Sequence, residues 1–151
     1  MTRAPALVSL AFRDIPAPDW ADVVVVALPP GASLDPAGWA QAVFDVRALP
    51  GWILALLGLR QLLVRLIGVD RGSADVFAVR EVSGDEALVA VDDRHLDFRA
   101  AVAADAEARL LRCVTAVRLH GWRGRVYFLP VRLLHDPVTR VMMHAAVRRS
   151  T

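Results

Sequence analysis

The sequence contains no lysine and only one cysteine. All 18 basic residues are arginine, a bias that we attribute to a GC-rich coding genome rather than to chemistry. The arginines are spread from Arg3 to Arg149 without a dense cluster, and the formal net charge is only +2. Because nucleic-acid binders usually concentrate positive charge on one face or arm, we expect no nucleic-acid partner.

The single cysteine, Cys113, excludes an internal disulfide and any zinc site built from cysteines alone. It lies between apolar residues, where a cysteine usually behaves as a small buried hydrophobe. The four histidines lack the i,i+3 or i,i+4 spacing that places two ligands on one helix face. We therefore expect neither a metal nor another cofactor. The N-terminal segment makes a weak signal peptide, and we expect a cytoplasmic protein.

The one stretch that could be mistaken for a membrane span covers residues 52–69, but it contains Arg60 and Arg65. Charges near a helix centre are costly in lipid, so the stretch does not predict a span. On a helical wheel the polar and small residues form one narrow stripe. This pattern predicts a helix packed against protein on most sides with one wet edge, and a helix lying on a membrane surface is the alternative.

Composition and periodicity predict the order of the elements. An extended segment over residues 1–19 leads to a strand at 22–28, and a helix begins after Asp35 and Pro36, an N-cap followed by proline. A second helix covers 52–69. From residue 76 the apolar period changes from about 3.6 to 2. This change predicts four antiparallel strands, at 76–82, 87–92, 95–104 and 109–120.

The last predicted element is a helix over residues 125–149, which Pro130 and Pro137 kink or divide. Helices segregated from a run of strands indicate an α+β fold in a single domain covering residues 1–151. A curved antiparallel sheet around the last helix is the natural way to bury that helix's apolar face.

Several short motifs carry a family resemblance: LPPG at 28–31, DDRHLDF at 92–98, VRLH at 117–120, GRVY at 124–127 and the stretch 130–135. With the element order, they make residues 20–148 resemble a bacterial domain family of unknown function, number 2867. That family is similar to the START-like (SRPBCC), helix-grip superfamily, whose members often enclose a hydrophobic ligand between sheet and C-terminal helix. Some relatives are attached to a nucleotide-binding epimerase-like domain, but this sequence lacks the glycine-rich motif that such a domain requires.

The resemblance implies a ligand cavity lined by the C-terminal helix, where Tyr127 and His135 could orient a ligand head group. Phe98, Trp52 and Met142 complete the candidate ligand-binding set. The alternative for Tyr127 is an ordinary core aromatic residue. Trp122 follows Gly121 in a predicted turn and is a candidate exposed contact residue.

Strand alternation places His95, Asp97 and Arg99 on one face of the third of these strands, with Leu96 and Phe98 on the other. Arg118 and His120 lie on the same outer face of the next strand. We interpret this polar face as a set of cross-strand charge pairs. A ligand or partner surface and a catalytic His–Asp pair are the alternatives, although no nucleophile accompanies them.

Three functions follow from these patterns. The first is the binding of a small hydrophobic molecule between the sheet and the C-terminal helix. The second is an enzyme resembling the cyclases and aromatases of this fold, using Tyr127 or His135 for proton transfer. The third is an interaction module, a homodimer joined through the outer sheet face or the 52–69 helix.

Overall fold

The computed structural model describes residues 8–45, 47, 49–66 and 77–151, with the backbone alone at 57 and 60–66. The described elements follow one another along the chain as α1 (Leu10–Asp14), β1 (Trp20–Ala27), α2 (Pro36–Val43), α3 (Gly51–Leu66), β2 (Val79–Ser83), β3 (Glu86–Asp92), β4 (Leu96–Asp105), β5 (Leu110–Leu119) and α4 (Gly121–Ser150). The strands form one curved antiparallel sheet in the order β1-β5-β4-β3-β2. The predicted α+β architecture is confirmed, with two helices between the first strand and the others and a long C-terminal helix.

The inner face of the sheet carries mainly small and β-branched side chains. Register aligns Val24 of β1 with Cys113 of β5, and Cys113 with Val102 of β4. Both α2 and α4 pack on this face. Their buried side chains join the cluster that contains Val24, Cys113 and Val102. They are Trp39, Ala40 and Val43 from α2, and Met143 and Ala146 from α4. The main core therefore lies between the sheet and these two helices.

The outer face of the sheet carries a second buried cluster, which includes α1. An extended segment was expected here, and for residues 10–14 that expectation is wrong; residues 1–7 lie outside the described part. Ala11 and the following Ile15 are buried against Leu88, Ala101, Val114 and Ala116 of the sheet. Ser9 caps the helix by accepting a hydrogen bond from the Ala11 N–H at 3.3 Å. The burial of two apolar side chains decides the conformation, because so short a helix is unstable by itself.

The predicted start of α2 is confirmed. Both carboxylate oxygens of Asp35 accept hydrogen bonds, from the N–H groups of Ala37 and Gly38 at 3.1 Å each. Pro36 occupies the first helical position, where its missing N–H costs nothing. One turn further, the Trp39 indole N–H donates to the Ser33 carbonyl at 2.7 Å, which anchors the helix to the loop before it.

Helix α3 is less buried than its composition suggests. Of its described side chains Ile53 is buried, whereas Trp52, Leu54 and Leu59 are about half exposed. The expectation of packing on most sides is therefore wrong for Trp52, Leu54 and Leu59. Residues 67–69 of the predicted helix lie outside the described part. None of the described helices is long and apolar enough to cross a lipid bilayer.

Helix α4 is continuous through Pro130 and Pro137 and begins at Gly121, four residues before the predicted start. Of the two expected effects of the prolines, a kink or a division of the helix, the division is wrong. Each proline removes one hydrogen bond to the carbonyl four residues earlier, at Val126 and Leu133. These residues and both prolines lie on the exposed side of the helix, where water can bind the freed carbonyls.

The first turn of α4 lies directly against the turn that precedes β4. A β-carbon at Gly124 would collide with the carbonyl oxygen of His95. That oxygen already accepts a hydrogen bond from the His120 N–H at 2.8 Å, so it is held in place. Only glycine allows this contact between helix and sheet.

We expect Gly124→Ala to lower the free energy of unfolding by roughly 1–3 kcal/mol, since either the helix or the turn must move. Urea denaturation monitored by circular dichroism measures this change. Gly58→Ala is the matched control, because none of the described atoms outside its own stretch of helix lies within 4 Å of a β-carbon there. The control should be neutral or stabilising by up to about 1 kcal/mol. Equal stability of the two variants would contradict the close contact.

Candidate functional site

The inner face of the sheet becomes polar at the point where β1 begins. Alternation along β1 places Trp20 and Asp22 on the same face as the buried residues Val24 and Val26. Helix α4 crosses this corner and presents Phe128, His135 and Thr139 to it. We call this group of five residues, two from β1 and three from α4, the β1–α4 corner.

The side chains of the β1–α4 corner contact one another closely. The Trp20 ring stands edge-on to Phe128 at 5.2 Å and to His135 at 4.8 Å between centroids. The Nδ1 atom of His135 lies 3.0 Å from Oδ2 of Asp22 and 3.5 Å from the Thr139 hydroxyl. The corner thus ties β1 to α4 through both aromatic contacts and a polar pair.

The Asp22–His135 pair has a defined chemistry. A carboxylate can only accept, so Nδ1 of His135 carries the proton that is shared with Asp22. In a neutral imidazole this would leave Nε2 as the basic nitrogen, the arrangement used where a carboxylate orients a histidine for proton transfer. The second oxygen of Asp22, Oδ1, is buried and has no hydrogen-bond partner among the described residues. It is therefore a buried acceptor that the described residues leave unpaired.

A cavity of about 210 Å³ adjoins the corner. It lies between the ends of β1 and β5 and the first half of α4, and it is lined by Asp19, Trp20, Leu119, Arg125, Phe128, Leu129 and Arg132. Its walls are mainly aromatic and aliphatic, with two guanidinium groups beside them. Neither arginine has an ion-pair partner in the part of the chain that the structure describes. The Asp19 carboxylate accepts a hydrogen bond from the Leu119 N–H at 2.7 Å.

A smaller cavity of about 150 Å³ lies beside α2 and the C-terminal end of α4. Its lining is Ser33, Gly38, Trp39, Ala42 and Ser150. This lining contains no charged side chain, so we take the cavity at the β1–α4 corner as the candidate site.

The structure does not bring the five predicted ligand residues together. His135 belongs to the β1–α4 corner, and Tyr127 is half-buried on α4. Phe98 lies elsewhere on the inner face, edge-on to Phe77 at 6.4 Å between centroids. Met142 packs against the main core, and Trp52 is 52% exposed on α3. None of the five lines the larger cavity.

The predicted polar face does lie on the outer side of the sheet. Asp97 stands opposite Arg118 in register. The carboxylate of Asp97 also lies 3.0 Å from the Nε2 atom of His120. His95 occupies the turn before β4, and its Nε2 is buried without a hydrogen-bond partner in the described part of the chain. His120 and Asp97 thus contact each other, and the interpretation as cross-strand charge pairing stays a prediction.

Arg99 is the buried member of this face. Its guanidinium lies 3.1 Å from Asp14 of α1 and 2.7 Å from Asp92 of β3. The hydrogen bond from Arg99 lowers the pKa of Asp92, against the opposing effect of burial. Burial works to raise the pKa of Asp14 as well, but the hydrogen bonds from Arg99 and Arg13 bring it below its ordinary value. Arg99 thus holds α1 on the sheet.

Sequence reasoning missed most of the corner. Asp22 opened the predicted strand, and its alternation with Val24 and Val26 could have shown that it points inward. Trp20 lies two residues earlier on the same face. No sequence signal singled out Arg125 or Arg132, because they become neighbours of Trp20 only when α4 crosses the end of β1.

The structure argues against Cys113 as a nucleophile. Its side chain is buried in the main core, and burial raises the pKa of the thiol to about 12. A protonated thiol without access to solvent is unreactive. In the described residues there is also no group of three or more His, Cys, Asp or Glu side chains placed to hold a metal ion.

The fold defines a class: an α+β domain in which one antiparallel sheet is covered by a long C-terminal helix. Residues 15–142 match the family model described as protein of unknown function (DUF2867), and the chain therefore belongs to this family. The predicted family is confirmed. No curated protein and no solved structure matches the chain.

We expect Arg99→Leu to lower the free energy of unfolding at pH 7 by roughly 1.5–3 kcal/mol, because it removes hydrogen bonds between charged groups. The lowered pKa values of Asp14 and Asp92 stabilise the folded state above about pH 4, and this contribution is lost as the pH falls through them. The difference between wild type and variant should therefore shrink in acid.

Urea denaturation at a series of pH values tests this pH dependence. Arg94→Leu is the control, since Arg94 is exposed; its effect should stay within about 0.5 kcal/mol at every pH. A constant difference for Arg99→Leu from neutral to acid pH would contradict the role of the ion pairs.

We expect the Cys113 thiol to react with a disulfide reagent such as dithionitrobenzoate only after unfolding, because it is buried and protonated. Absorbance of the released thiolate measures the reaction with and without denaturant. Val82→Cys in a Cys113→Ser background is the control, since Val82 is 51% exposed and its replacement should react at once. Rapid labelling of native Cys113 would contradict its burial.

Proposed function

We propose that the domain binds a small amphipathic molecule, largely hydrophobic, in the cavity at the β1–α4 corner. One observation carries the proposal: the rings of Trp20 and Phe128 and the side chain of Leu129 form an apolar wall beside Arg125 and Arg132. An apolar pocket with a few convergent polar groups is the usual form of a small-molecule site. The two arginines favour a ligand whose polar end is a carboxylate.

The size of the cavity limits the ligand. A volume of about 210 Å³ corresponds to about seven waters at their share of the liquid. Pockets for drug-sized ligands begin at about 300 Å³. The ligand is therefore small, or it leaves part of its body in solvent at the open side.

The position of the site follows from the packing of the core. Between the sheet and the second half of α4 the space is filled by the main core, including Val24, Val26 and Met143. We therefore place the ligand at the end of the sheet. The similarity to helix-grip proteins, which often enclose a hydrophobic ligand between sheet and C-terminal helix, favours the same kind of function.

The Asp22–His135 pair favours a second candidate function, proton transfer to or from a molecule that reaches past Trp20 to the pair, since neither residue itself lines the cavity. His135 would act as the base, and Asp22 would hold its ring at 3.0 Å. Incubation of the ligand with the protein in heavy water tests this: deuterium should enter the ligand, and His135→Gln should abolish its uptake. Absence of exchange with wild type would leave binding as the function.

Native mass spectrometry of protein purified without denaturation tests the first proposal. We expect an additional mass of a few hundred daltons or less that leaves on unfolding. Octanoate and its neutral counterpart 1-octanol then serve as probes in titration calorimetry. Octanoate should bind more tightly, because only it offers a carboxylate to the arginines.

We expect Arg132→Gln to weaken octanoate binding by about tenfold or more, the equivalent of one charged hydrogen bond. Binding of 1-octanol should be unchanged. Arg148→Gln is the matched control, because Arg148 is exposed near the other end of α4. The proposal would be rejected if native mass spectrometry showed the mass of the protein alone and neither octanoate nor 1-octanol bound.

A further inference from the structure

The first half of α4 exposes a continuous row of apolar side chains. Trp122, Val126, Leu129 and Leu133 are 68%, 52%, 58% and 76% exposed. Their spacing of four, three and four residues puts one side chain on each successive turn of the same helix side. The row, which we call the α4 stripe, is about 16 Å long. Isolated exposed apolar residues are ordinary, but a contiguous row marks an interaction surface.

The charged side chains along the first half of α4 have one sign, and the one carboxylate that lines the cavity beside Leu129, that of Asp19, accepts a hydrogen bond from the Leu119 N–H. Residues 118–135 contain Arg118, Arg123, Arg125 and Arg132 and no acidic residue. The nearest acidic residue along the helix, Asp136, is paired with Arg140 at 3.0 Å. The first turn of α4 has no acidic residue and no side-chain cap, so the positive end of the helix dipole lies beside Trp122.

This charge argues against a second copy of the chain on the stripe. A twofold interface packs the same patch against itself, so the arginines of one protomer would face those of the other. Like charges brought together in this way oppose association. The surface instead complements a negatively charged partner.

The shape of the surface favours a lipid bilayer as that partner. The stripe lies along one side of a single helix, and such a row can meet a plane without requiring a matching groove. Tryptophan prefers the boundary between acyl chains and headgroups, and arginine stems can lie along apolar surface while their guanidinium groups reach outward. Amphipathic helices with basic borders bind anionic membranes in this orientation.

We propose that the α4 stripe docks the domain on a membrane surface rich in anionic lipid. The helix lies parallel to the bilayer, Trp122, Val126, Leu129 and Leu133 enter the headgroup region, and the bordering arginines contact lipid phosphates. Leu129, Arg125 and Arg132 also line the cavity, whereas Trp122, Val126 and Leu133 do not, so substitutions at these three residues test the docking without changing the cavity wall.

Co-sedimentation with vesicles tests the proposal. The full chain should bind vesicles of phosphatidylcholine containing about one third phosphatidylglycerol, bind pure phosphatidylcholine weakly, and dissociate with added salt. Leu133→Asp should weaken binding to the anionic vesicles by roughly tenfold or more, since it removes an inserted side chain and adds a repelled charge. The substitution lies at an exposed position, and circular dichroism verifies that the fold survives.

Val82→Asp is the matched control, because Val82 is an equally apolar residue, 51% exposed, on the β2–β3 hairpin. It should leave vesicle binding unchanged. Tryptophan fluorescence gives a second readout: anionic vesicles should shift the emission to the blue, and Trp122→Phe should remove the shift while Trp52→Phe retains most of it.

Three outcomes would overturn the proposal. The first is no binding of wild type to anionic vesicles. The second is vesicle binding that Leu133→Asp leaves intact, which would reduce it to general charge attraction. The third is a dimer in native mass spectrometry that Leu133→Asp dissociates, which would assign the stripe to a second copy of the chain.

Discussion

The burial of the inner sheet face is the constraint on which the rest of the structure depends. This face carries mostly alanine and valine, so two helices can approach it closely, and it buries a continuous cluster with them. A sheet of small side chains cannot fill its own core, and α2 and α4 supply the larger groups, Trp39 and Met143. The opposite face has less to bury and needs only the short α1, which Arg99 holds in place through Asp14.

The same packing decides where chemistry can occur. Because the middle of the inner face is filled, polar side chains are confined to the end of the sheet, where β1 begins and α4 crosses it. There the pair of Asp22 and His135 joins sheet to helix, and Trp20 separates that pair from the cavity. The contact of Gly124 with the His95 carbonyl sets how closely the start of α4 approaches the sheet. A structural contact of this kind therefore also determines the shape of the site.

The two halves of α4 have different surroundings. Its second half buries Met143, Ala145 and Ala146, whereas its first half exposes the α4 stripe. Arg125, Leu129 and Arg132 belong to both the cavity wall and the stripe or its border. If both proposals hold, the cavity opens close to the membrane, which offers an amphipathic ligand a short path between bilayer and protein.

Much of the fold could be predicted from the sequence, because its signals are local. A run of four valines predicts β1, Asp35 and Pro36 predict the start of α2, and the apolar period of 2 from residue 76 predicts the strands that follow. The motifs between residues 28 and 135 were enough to identify the family. The errors have a common cause: α1, the exposed side of α3 and the continuity of α4 depend on whether neighbouring elements or water accept their side chains and carbonyls. Local patterns do not contain that information.

The candidate site was less predictable, since its two parts, on β1 and α4, are far apart along the chain: Asp22 and His135 are separated by 113 positions. The sequence by itself determined the order and type of the elements, the family, and the outer position of Asp97, Arg99 and Arg118, because each follows from periodicity within one segment. Only the tertiary structure decided that Asp22 meets His135 and that the cavity lies at the end of the sheet. It also decided that Trp122, Val126, Leu129 and Leu133 remain exposed. These features depend on how α4 crosses β1, and that crossing is set by packing between distant segments rather than by any local pattern.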